Sequence, residues 1–394
     1  MALRIAIIGG GLGGLAAALF LKRTRHEATV YEQAQALQEV GAGIIVPPNM
    51  VRPFRRLGLA ARFDDFAVRL EFSWEFRRWE NGRVISVTAM DEECERLYGA
   101  PCYVAHRADL RGFLRRELPD DSIRFDHRLI RVTRSDDEVE LAFVDRSGRE
   151  SRVTADVVVG ADGIHSLVRN HVVPTIEPRF SGLCAFRCLV PAADAPEMAR
   201  RPVQTLWLGP GRHFVHYLIS RGQLVNVVAI APAGNWRTES WTDDGEVSDL
   251  LREFETWDSR LRQLIVSATE TKRWALYDRE PLERWTKGRI TLLGDAAHAM
   301  LPFLAQGAAQ ATEDAAALAD FLEAADECSV EEALQSYEEL RRPRANHILI
   351  GSRGRGSAPA KRLAIWIADL RPSPSSASPL STLHKNTGNA GSRP

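Results

Sequence analysis

Residues 3–32 read LRIAIIGGGLGGLAAALFLKRTRHEATVYE, and this stretch decides the fold. Its apolar start predicts a buried strand, its glycine cluster a tight turn, its alanine-rich middle a helix, and its last residues a second strand. Gly9, Gly11 and Gly14 have the spacing of a dinucleotide fingerprint, and Glu32 ends the second strand. The first glycine permits the turn, the second admits a pyrophosphate, and the third packs the helix on the strand, while Glu32 would accept hydrogen bonds from a ribose. We therefore predict a dinucleotide-binding βαβ unit.

The composition is that of a globular protein with room for two or three domains. The chain has 394 residues, of which 45% are hydrophobic and 26% charged, which excludes wholesale disorder, collagen and a coiled coil. Its 51 basic and 52 acidic residues leave a net charge of -1, which gives no reason to expect nucleic acid or an anionic membrane. The five cysteines predict neither a disulfide framework nor a metal site and favour a cytoplasmic location; Cys184 and Cys188 are expected in the core, on one face of a strand.

The rest of the chain alternates strand and helix patterns. Strand patterns cover 74–87, where Asn81-Gly82 predicts a hairpin, 123–155, which predicts a meander, and 180–232. Helix patterns cover 248–267, 307–325, and a last helix that begins with a capping box at Ser329 and is ended or kinked by Pro343.

The end of the chain has a different character. Residues 371–394 contain no acidic residue and are rich in Ser, Pro, Gly and Asn, which predicts disorder. Just before them, Leu363, Trp366, Ile367 and Leu370 fall on one helical face. That face either packs on the chain's own body or binds a partner.

Two later motifs resemble those of a known enzyme family. Gly160-Ala161-Asp162-Gly163, with Ser166 and Arg169, resembles the DG motif of the group A flavoprotein aromatic hydroxylases. The segment RITLLGDAAH at 289–298, followed by Pro302 and Gln306-Gly307, resembles their GD motif and the helix after it. The glycine fingerprint and these two motifs occur in the family's order and spacing, over about residues 3–350. Within the family, the segments at 41–44, 48–49, 179–182 and 341–345 resemble the salicylate and 6-hydroxynicotinate hydroxylases.

The resemblance implies the fold class and its division into domains. The fold is expected to be α/β, with a Rossmann-like FAD-binding domain and an inserted, mainly β substrate domain, like that of p-hydroxybenzoate hydroxylase. The FAD-binding domain is expected to comprise residues 1–70, 100–178 and 277–352. The substrate domain is expected to comprise residues 71–99 and 179–276, and residues 353–394 form a C-terminal extension.

The resemblance also implies which residues hold the cofactor. The ADP half of FAD would be held by Gly9, Gly11, Gly14 and Glu32. Arg107 would face the ribityl-phosphate region, Asp295 would bind the ribityl chain, and Asp162 would serve FAD and more loosely the nicotinamide nucleotide. Gly307 and Ala308 would place backbone N–H groups at the flavin pyrimidine edge. Only one glycine fingerprint is present, so NADH or NADPH is expected as a transient co-substrate without a domain of its own.

The segment GRHFVHY at 211–217 is the most informative for the substrate. As a strand it would place His213, Val215 and Tyr217 on one face and His216 on the other. In the resembling subgroup a His-x-x-x-Tyr pair contacts the substrate's oxygen substituent. His213 is therefore a candidate base that removes a phenolic proton, a role worth roughly 10²–10⁴-fold, and Tyr217 is a second contact. The alternative is a hydrogen-bonded strand histidine beside a core tyrosine.

Other residues are expected to border the same pocket. Arg187 is either a carboxylate anchor or a structural residue, and Pro302 is expected at the start of a helix over the flavin face. His298 is expected to be structural or near the flavin rather than a base. Residues 44–46 read IIV where the 6-hydroxynicotinate hydroxylase has a histidine, so that side of the pocket should be apolar.

We therefore predict an FAD-dependent monooxygenase that hydroxylates a small aromatic or N-heteroaromatic hydroxy acid, with or without loss of CO2. It would use NAD(P)H and O2, through a C4a-hydroperoxyflavin, and act as a monomer or homodimer without a nucleic-acid or membrane partner. Three alternatives remain open at this point. They are a same-fold epoxidase or hydroxylase acting on a larger apolar or polyketide substrate, a nicotinamide-only dehydrogenase, and a flavin-bound scaffold or sensor.

Overall fold

The structure is a computed structural model that describes residues 1–37, 42–71, 73–135, 137–239 and 244–353. Within these residues the strands are β1 Arg4–Ile8, β2 Glu27–Tyr31, β3 Gly43–Val46, β4 Val68–Arg69, β5 Ser73–Arg78, β6 Val84–Ala89, β7 Tyr103–His106, β8 Ile123–Arg124, β9 Arg128–Arg134, β10 Val139–Val144, β11 Glu150–Ala155, β12 Val157–Gly160, β13 Arg179–Pro191, β14 Gln204–Gly209, β15 Arg212–Ile219, β16 Leu224–Pro232, β17 Asp244–Gly245, β18 Thr271–Asp278, β19 Thr286–Lys287 and β20 Ile290–Leu292. The α-helices are α1 Leu12–Leu21, α2 Pro48–Arg56, α3 Glu92–Tyr98, α4 Arg107–Arg116, α5 Val247–Glu253, α6 Ser259–Val266, α7 Asp295–His298, α8 Gly307–Leu322 and α9 Val330–Ser352. Short 3-10 helices cover Ala60–Asp65, Asp120–Ser122, Val168–His171, Glu197–Ala199, Ser220–Gly222 and Pro302–Leu304.

A six-stranded sheet contains the predicted βαβ unit. Its strand order is β19-β20-β12-β1-β2-β8, and every pairing except that of β19 with β20 is parallel. β1 lies inside the sheet between β12 and β2. Its last four residues are buried, which accounts for their apolar side chains. The helix that follows, α1, is buried on nearly every side and packs against α8. The predicted α/β class is confirmed.

An eight-stranded sheet, in the order β17-β18-β13-β16-β15-β14-β5-β6, stands beside the first. One of its faces packs on α5 and α6 through a core that includes Trp207, Phe214 and Phe254. Cys184 and Cys188 of β13 lie in this core, as the sequence predicted. β15 is an inner strand, flanked by β16 and β14, so its second face is available to form the wall of a cavity.

Two predicted β motifs are present. β5 and β6 pair as the antiparallel hairpin expected at 74–87, and β9, β10 and β11 form the antiparallel meander expected within 123–155. A further small sheet, β3-β7-β4, places the segment after residue 42 beside the eight-stranded sheet, where Gly43 N–H donates to Asn226 Oδ1 at 2.6 Å. The assignment of strands to these sheets does not test the predicted domain boundaries, which stay predictions.

Two local predictions are wrong, and a third is wrong in one of its two alternatives. The pattern at 248–267 forms two helices, because Phe254 and Trp257 leave the helical path and fill the core between them. The Ser329 hydroxyl donates to Asp326 Oδ1 at 2.8 Å instead of capping the last helix. That helix continues past Pro343 to Ser352, so the proline does not end it, and a kink at Pro343 stays a prediction; ion pairs on either side of the proline join α9 to α8.

The remaining predictions concern the end of the chain, membrane partners and metal sites. The predicted helical face at 363–370 and the tail at 371–394 lie outside the described residues. Among the described residues, no helix is long and apolar enough to cross a membrane. In the same part of the chain, no group of three or more His, Cys, Asp or Glu side chains is placed to hold a metal ion.

Candidate active site

The three fingerprint glycines have different steric surroundings. Gly9 has a φ of 110°, and a Cβ at this position would overlap the carbonyl oxygen of Ala161. A Cβ on Gly14 would overlap the carbonyl oxygen of Gly9, so Gly14 lets α1 lie close to β1. A Cβ on Gly11 would meet nothing within 4 Å, and Gly11 lines a cavity. Two of the glycines therefore shape the turn, and the third leaves space at the N-terminus of α1 where a phosphate is favoured.

Substitutions at these glycines should separate folding from ligand binding. Gly11→Ala is expected to leave the stability of the ligand-free protein nearly unchanged but to weaken FAD binding about 10- to 100-fold, because the added methyl occupies the space for the pyrophosphate. Gly14→Ala should destabilise the ligand-free protein itself. Flavin fluorescence titration and urea unfolding measure the two effects. Equal loss of stability in both variants would contradict this division of roles.

Glu32 joins the glycine turn to the loop after β2. Its Oε2 accepts a hydrogen bond from Gly10 N–H at 2.7 Å, and its Oε1 accepts one from Ala34 N–H at 2.8 Å. The carboxylate lies on the wall of a second cavity of about 680 Å³, which Gln33 shares with the main one. The predicted contact of Glu32 with a ribose stays a prediction, compatible with this placement.

The two later motifs meet beside the turn. Asp162 of the DG motif accepts hydrogen bonds from Leu167 N–H at 2.8 Å and Val168 N–H at 3.1 Å, so its carboxylate holds its own loop together. Burial raises the pKa of Asp162. Arg169 donates to the carbonyl oxygen of Ala296 at 3.0 Å and thereby joins the DG motif to the GD motif. Asp162 also borders the main cavity.

The GD motif and the start of α8 form the middle of that cavity. Asp295, the first residue of α7, and Gly307, the first residue of α8, both line it, and a Cβ on Gly307 would lie 4.0 Å from Asp295 Oδ1. Gln306 makes no side-chain cap to the first turn of α8, so the backbone N–H groups of Gly307 and Ala308 can serve a ligand. The positive end of this 16-residue helix favours negative charge there.

Arg107 and Pro302 complete this middle section. Arg107 begins α4, borders the cavity and interacts electrostatically with Asp295; burial lowers the pKa of its guanidinium. Pro302 begins a short 3-10 helix on the cavity wall, and Ala305 at its end has a φ of 52°. Arg107, Asp162, Asp295, Gly307 and Ala308 thus lie around one space, whereas Glu32 borders the neighbouring cavity.

The same cavity continues to the eight-stranded sheet. Its volume is about 640 Å³. The side chains at this end come from alternating positions of neighbouring strands, as expected for one face of a sheet. They include Trp74 and Phe76 of β5, Gln204, Leu206 and Leu208 of β14, His213, Val215 and Tyr217 of β15, Val228 and Ile230 of β16, Arg187 of β13 and Trp274 of β18, whose next three residues also border the cavity. Ile44 and Ile45 line the side that the sequence predicts to be apolar.

His213 and Tyr217 share the cavity face of β15, as the sequence predicted. The His213 ring meets the Phe303 ring edge-on, with the centroids 5.3 Å apart. Tyr217 is buried, and burial raises the pKa of its phenol, so the hydroxyl keeps its proton. His216 points to the opposite face, where burial lowers its pKa to about 3 and keeps it neutral beside Phe214.

Arg187 brings a positive charge to this apolar end of the cavity. Its guanidinium carbon lies 4.2 Å from the centroid of the Trp274 ring. Burial lowers the pKa of Arg187 to about 10, which leaves it charged at neutral pH. Besides burial, Tyr217 and Arg107 act on this pKa. An anionic group would therefore be favoured here.

His298 belongs to a buried polar network behind the cavity. Its Nε2 lies 2.6 Å from Asp314 Oδ2, and the same oxygen accepts a hydrogen bond from Gly294 N–H at 3.0 Å. Arg341 donates to Asp314 Oδ1 at 2.8 Å and to Glu313 Oε2 at 2.7 Å. This network, which sequence reasoning missed, supports the residue before Asp295.

The network also reaches the start of α8. Asn49 Nδ2 donates to Glu313 Oε1 at 2.6 Å and to Gln306 Oε1 at 2.9 Å. Arg344 adds a second cation on Glu313, at 2.9 Å. Although burial by itself raises the pKa of Glu313, Arg341 and Arg344 outweigh it and hold the pKa below the ordinary range. His298 is thus structural, which is one of the two roles that the sequence predicted for it.

Comparison with known proteins identifies relatives along nearly the whole chain. A family model described as "FAD binding domain" matches residues 2–352. A 3-amino-4-hydroxybenzoate 2-monooxygenase of Streptomyces platensis is 43% identical over 90% of this chain and 87% of its own. A 6-hydroxynicotinate 3-monooxygenase of Bordetella bronchiseptica is 33% identical over 88% of this chain and 89% of its own. The crystal structure of Klebsiella pneumoniae HpxO complexed with FAD and uric acid superposes with a TM-score of 0.79, at 26% identity and 94% coverage of both chains.

Proposed function

The chain belongs to the FAD binding domain family and is an FAD-dependent aromatic monooxygenase that uses NAD(P)H and O2, and from that premise we propose that its substrate is a small aromatic hydroxy acid. The observation that carries the proposal is the combination of Arg187 and His213 on one apolar cavity wall. The first supplies a fixed positive charge and the second a proton acceptor, which are the two groups that a phenolic acid requires.

The residues around the cavity fit FAD. The open space at Gly11 and the N-terminus of α1 suit its pyrophosphate, and the uncapped start of α8 at Gly307 suits the electron-rich edge of its ring. Asp295 and Arg107 lie between these two points on the cavity wall and would hold the chain that joins them. FAD, once reduced by NAD(P)H, would supply the two electrons that activate O2; one oxygen atom of O2 would enter the substrate and the other would leave as water.

Arg187 would bind the substrate carboxylate. Its guanidinium lies over the Trp274 ring and offers donors that match a carboxylate in a fork. The surrounding aliphatic and aromatic side chains lower the local dielectric and strengthen this charge interaction. They also exclude water from the reacting ring.

His213 would accept the phenolic proton on a ring nitrogen, which makes the substrate ring more electron-rich before oxygen transfer. Tyr217, whose phenol keeps its proton because burial raises its pKa, would donate a hydrogen bond to the resulting phenolate oxygen. Both side chains project from the same face of β15, as does Val215 between them. Both contacts would act on one substrate oxygen.

The cavity of about 640 Å³ would hold the FAD chain and the flavin ring as well as the substrate. The cytoplasmic location and the monomeric or homodimeric state stay predictions from the sequence.

The test is NAD(P)H oxidation by the FAD-loaded protein, with hydrogen peroxide measured in the same wells. The panel should contain hydroxybenzoates, hydroxynicotinates, the corresponding phenols without a carboxylate, and 3-amino-4-hydroxybenzoate, for which a 43% identical relative is named. Strong stimulation with little peroxide is expected for hydroxy acids. No stimulation by any of them would contradict the proposal.

Arg187→Met should separate acids from other phenols. We expect KM for the best acid to rise about 10- to 100-fold, because a charge-assisted hydrogen bond is lost. KM for phenols without a carboxylate should change little. Arg273→Met is a matched control, since Arg273 stacks on Phe186 and Trp236 instead of facing the cavity. An equal rise for acids and simple phenols would show that Arg187 is structural.

A further inference from the structure

Gln204 is a buried polar side chain at the substrate end of the cavity. It is the first residue of β14, is 3% exposed, and lines the cavity together with Leu206 and Leu208. The intervening Trp207 points into the core on the other face of the sheet. Gln204 is thus the polar member of an otherwise aliphatic row, and no sequence motif singled it out.

The strand register places Gln204 next to two aromatic residues. In the parallel pairing of β5 and β14, Gln204 lies opposite Trp74. On the other side, the antiparallel register pairs Thr205 with His216, so the next position pairs Gln204 with Tyr217. Neighbouring strands are about 5 Å apart. The Gln204 side chain therefore neighbours that of Tyr217, whose hydroxyl we assign to the substrate's phenolic oxygen.

The protein itself leaves the Gln204 amide without a partner. Across the described residues, no hydrogen bond joins this amide to another group, whereas the buried amides of Gln306, Gln310 and Asn49 all make them. Buried side-chain amides are normally hydrogen-bonded, because leaving them unpaired is unfavourable. Because the Gln204 amide borders the cavity and has no partner in the described part of the protein, it is available to a ligand bound there.

We infer that Gln204 determines substrate specificity by binding an amino group adjacent to the phenolic hydroxyl, an inference that rests on the proposed function. The amide carries one acceptor, Oε1, beside one donor group, Nε2. An ortho-aminophenolate carries a donor nitrogen beside an acceptor oxygen. The two therefore match as a pair of parallel hydrogen bonds, from the amine to Oε1 and from Nε2 to the phenolate oxygen.

The other polar groups of the cavity end cannot replace this contact. Arg187 only donates, and it is assigned to the carboxylate; Tyr217 keeps its proton and donates to the phenolate. His213 takes up the phenolic proton and is then a donor as well. Among the side chains of the substrate end, the Gln204 oxygen is therefore the acceptor that a substrate amine would use.

The experiment compares 3-amino-4-hydroxybenzoate with 4-hydroxybenzoate, which lacks only the amine. Each compound is titrated into the oxidised FAD-loaded protein without NAD(P)H, and Kd is read from the change in flavin absorbance. Stimulated NAD(P)H oxidation is measured separately. The wild type should prefer the amino compound by about 10- to 100-fold in Kd. Gln204→Met, of similar volume, should lose that preference, chiefly by weaker binding of the amino compound.

Two further variants keep the test decisive. Gln204→Glu retains the acceptor oxygen, so it should keep the preference for the amine, and it serves if the methionine variant does not fold. Thr205→Val alters the neighbouring residue on the opposite face of β14 and should bind both compounds as the wild type does.

The outcomes distinguish the role inferred for Gln204 from the proposed function. Loss of the preference in Gln204→Met alone supports the inference. A wild type that turns over both compounds without preference, or a Gln204→Met variant that keeps the preference, overturns it and leaves the proposed function standing. A wild type that neither binds nor is stimulated by any hydroxybenzoate overturns the proposed function and the inference with it.

Discussion

His213→Gln is expected to lower kcat for a phenolic acid by about 10²–10⁴-fold, the usual contribution of a positioned base. Glutamine keeps a hydrogen-bonding group at the cavity wall but takes up no proton. The substrate would then have to ionise by itself. Since a phenol has a pKa near 10, the rate of the variant should rise steeply with pH up to about that value.

The measurement is kcat for product formation between pH 6 and pH 10, with peroxide quantified to exclude uncoupled oxidation. His216→Leu is the matched control on the same strand. His216 points away from the cavity, its pKa of about 3 keeps it neutral, and neither ring nitrogen has a hydrogen-bond partner among the described residues. This control should retain activity. An unchanged kcat in His213→Gln would mean that His213 is only a strand histidine.

Asp314→Ala should be the most damaging substitution for stability, with a loss of about 3–5 kcal/mol in the free energy of unfolding. Asp314 is fully buried, and its two oxygens bind His298, Gly294 N–H and Arg341. Alanine removes the shared anion and leaves Arg341, within the described part of the chain, with Glu313 and Gln310 as its partners. Weaker FAD binding should follow, because Gly294 precedes Asp295 on the cavity wall.

Urea unfolding of the FAD-free protein and fluorescence titration of FAD measure these two effects. Arg96→Ala is the control, because the Arg96–Glu93 pair lies on the surface and should contribute little. Burial by itself raises the pKa of Asp314, but His298 and Arg341 outweigh it and hold the pKa below its ordinary range. The stabilisation is therefore complete above the ordinary carboxyl pKa of about 4 and is lost as the pH falls further. Equal unfolding midpoints of Asp314→Ala and the wild type would refute a stabilising network.

Much of the candidate site was predictable because its signals are local. The fingerprint at Gly9, Gly11 and Gly14 follows from the steric demands of one turn between adjacent elements. The face shared by His213 and Tyr217 follows from the two-residue period of a strand. Neither signal requires knowledge of what lies across the cavity.

The errors have a common cause in tertiary contacts. Pro343 ends helices as a local rule, yet ion pairs to Glu313 from Arg341 and Arg344 keep α9 intact around it. Ser329 found a nearer partner in Asp326 than the backbone of the helix it precedes. Both outcomes depend on groups that the local pattern does not contain.

The sequence by itself determined the dinucleotide unit, the enzyme family and the face of β15 on which each side chain lies, because each of these follows from the spacing of neighbouring residues. The tertiary structure decided that Gln204 faces the cavity and that Asp314 supports the GD motif. Alternation along β14 shows that Gln204 shares a face with Leu206, but not whether that face meets a core or a ligand. That choice depends on the pairing of β14 with β5 and β15 and on which face α5 and α6 cover, and such long-range contacts leave no local trace.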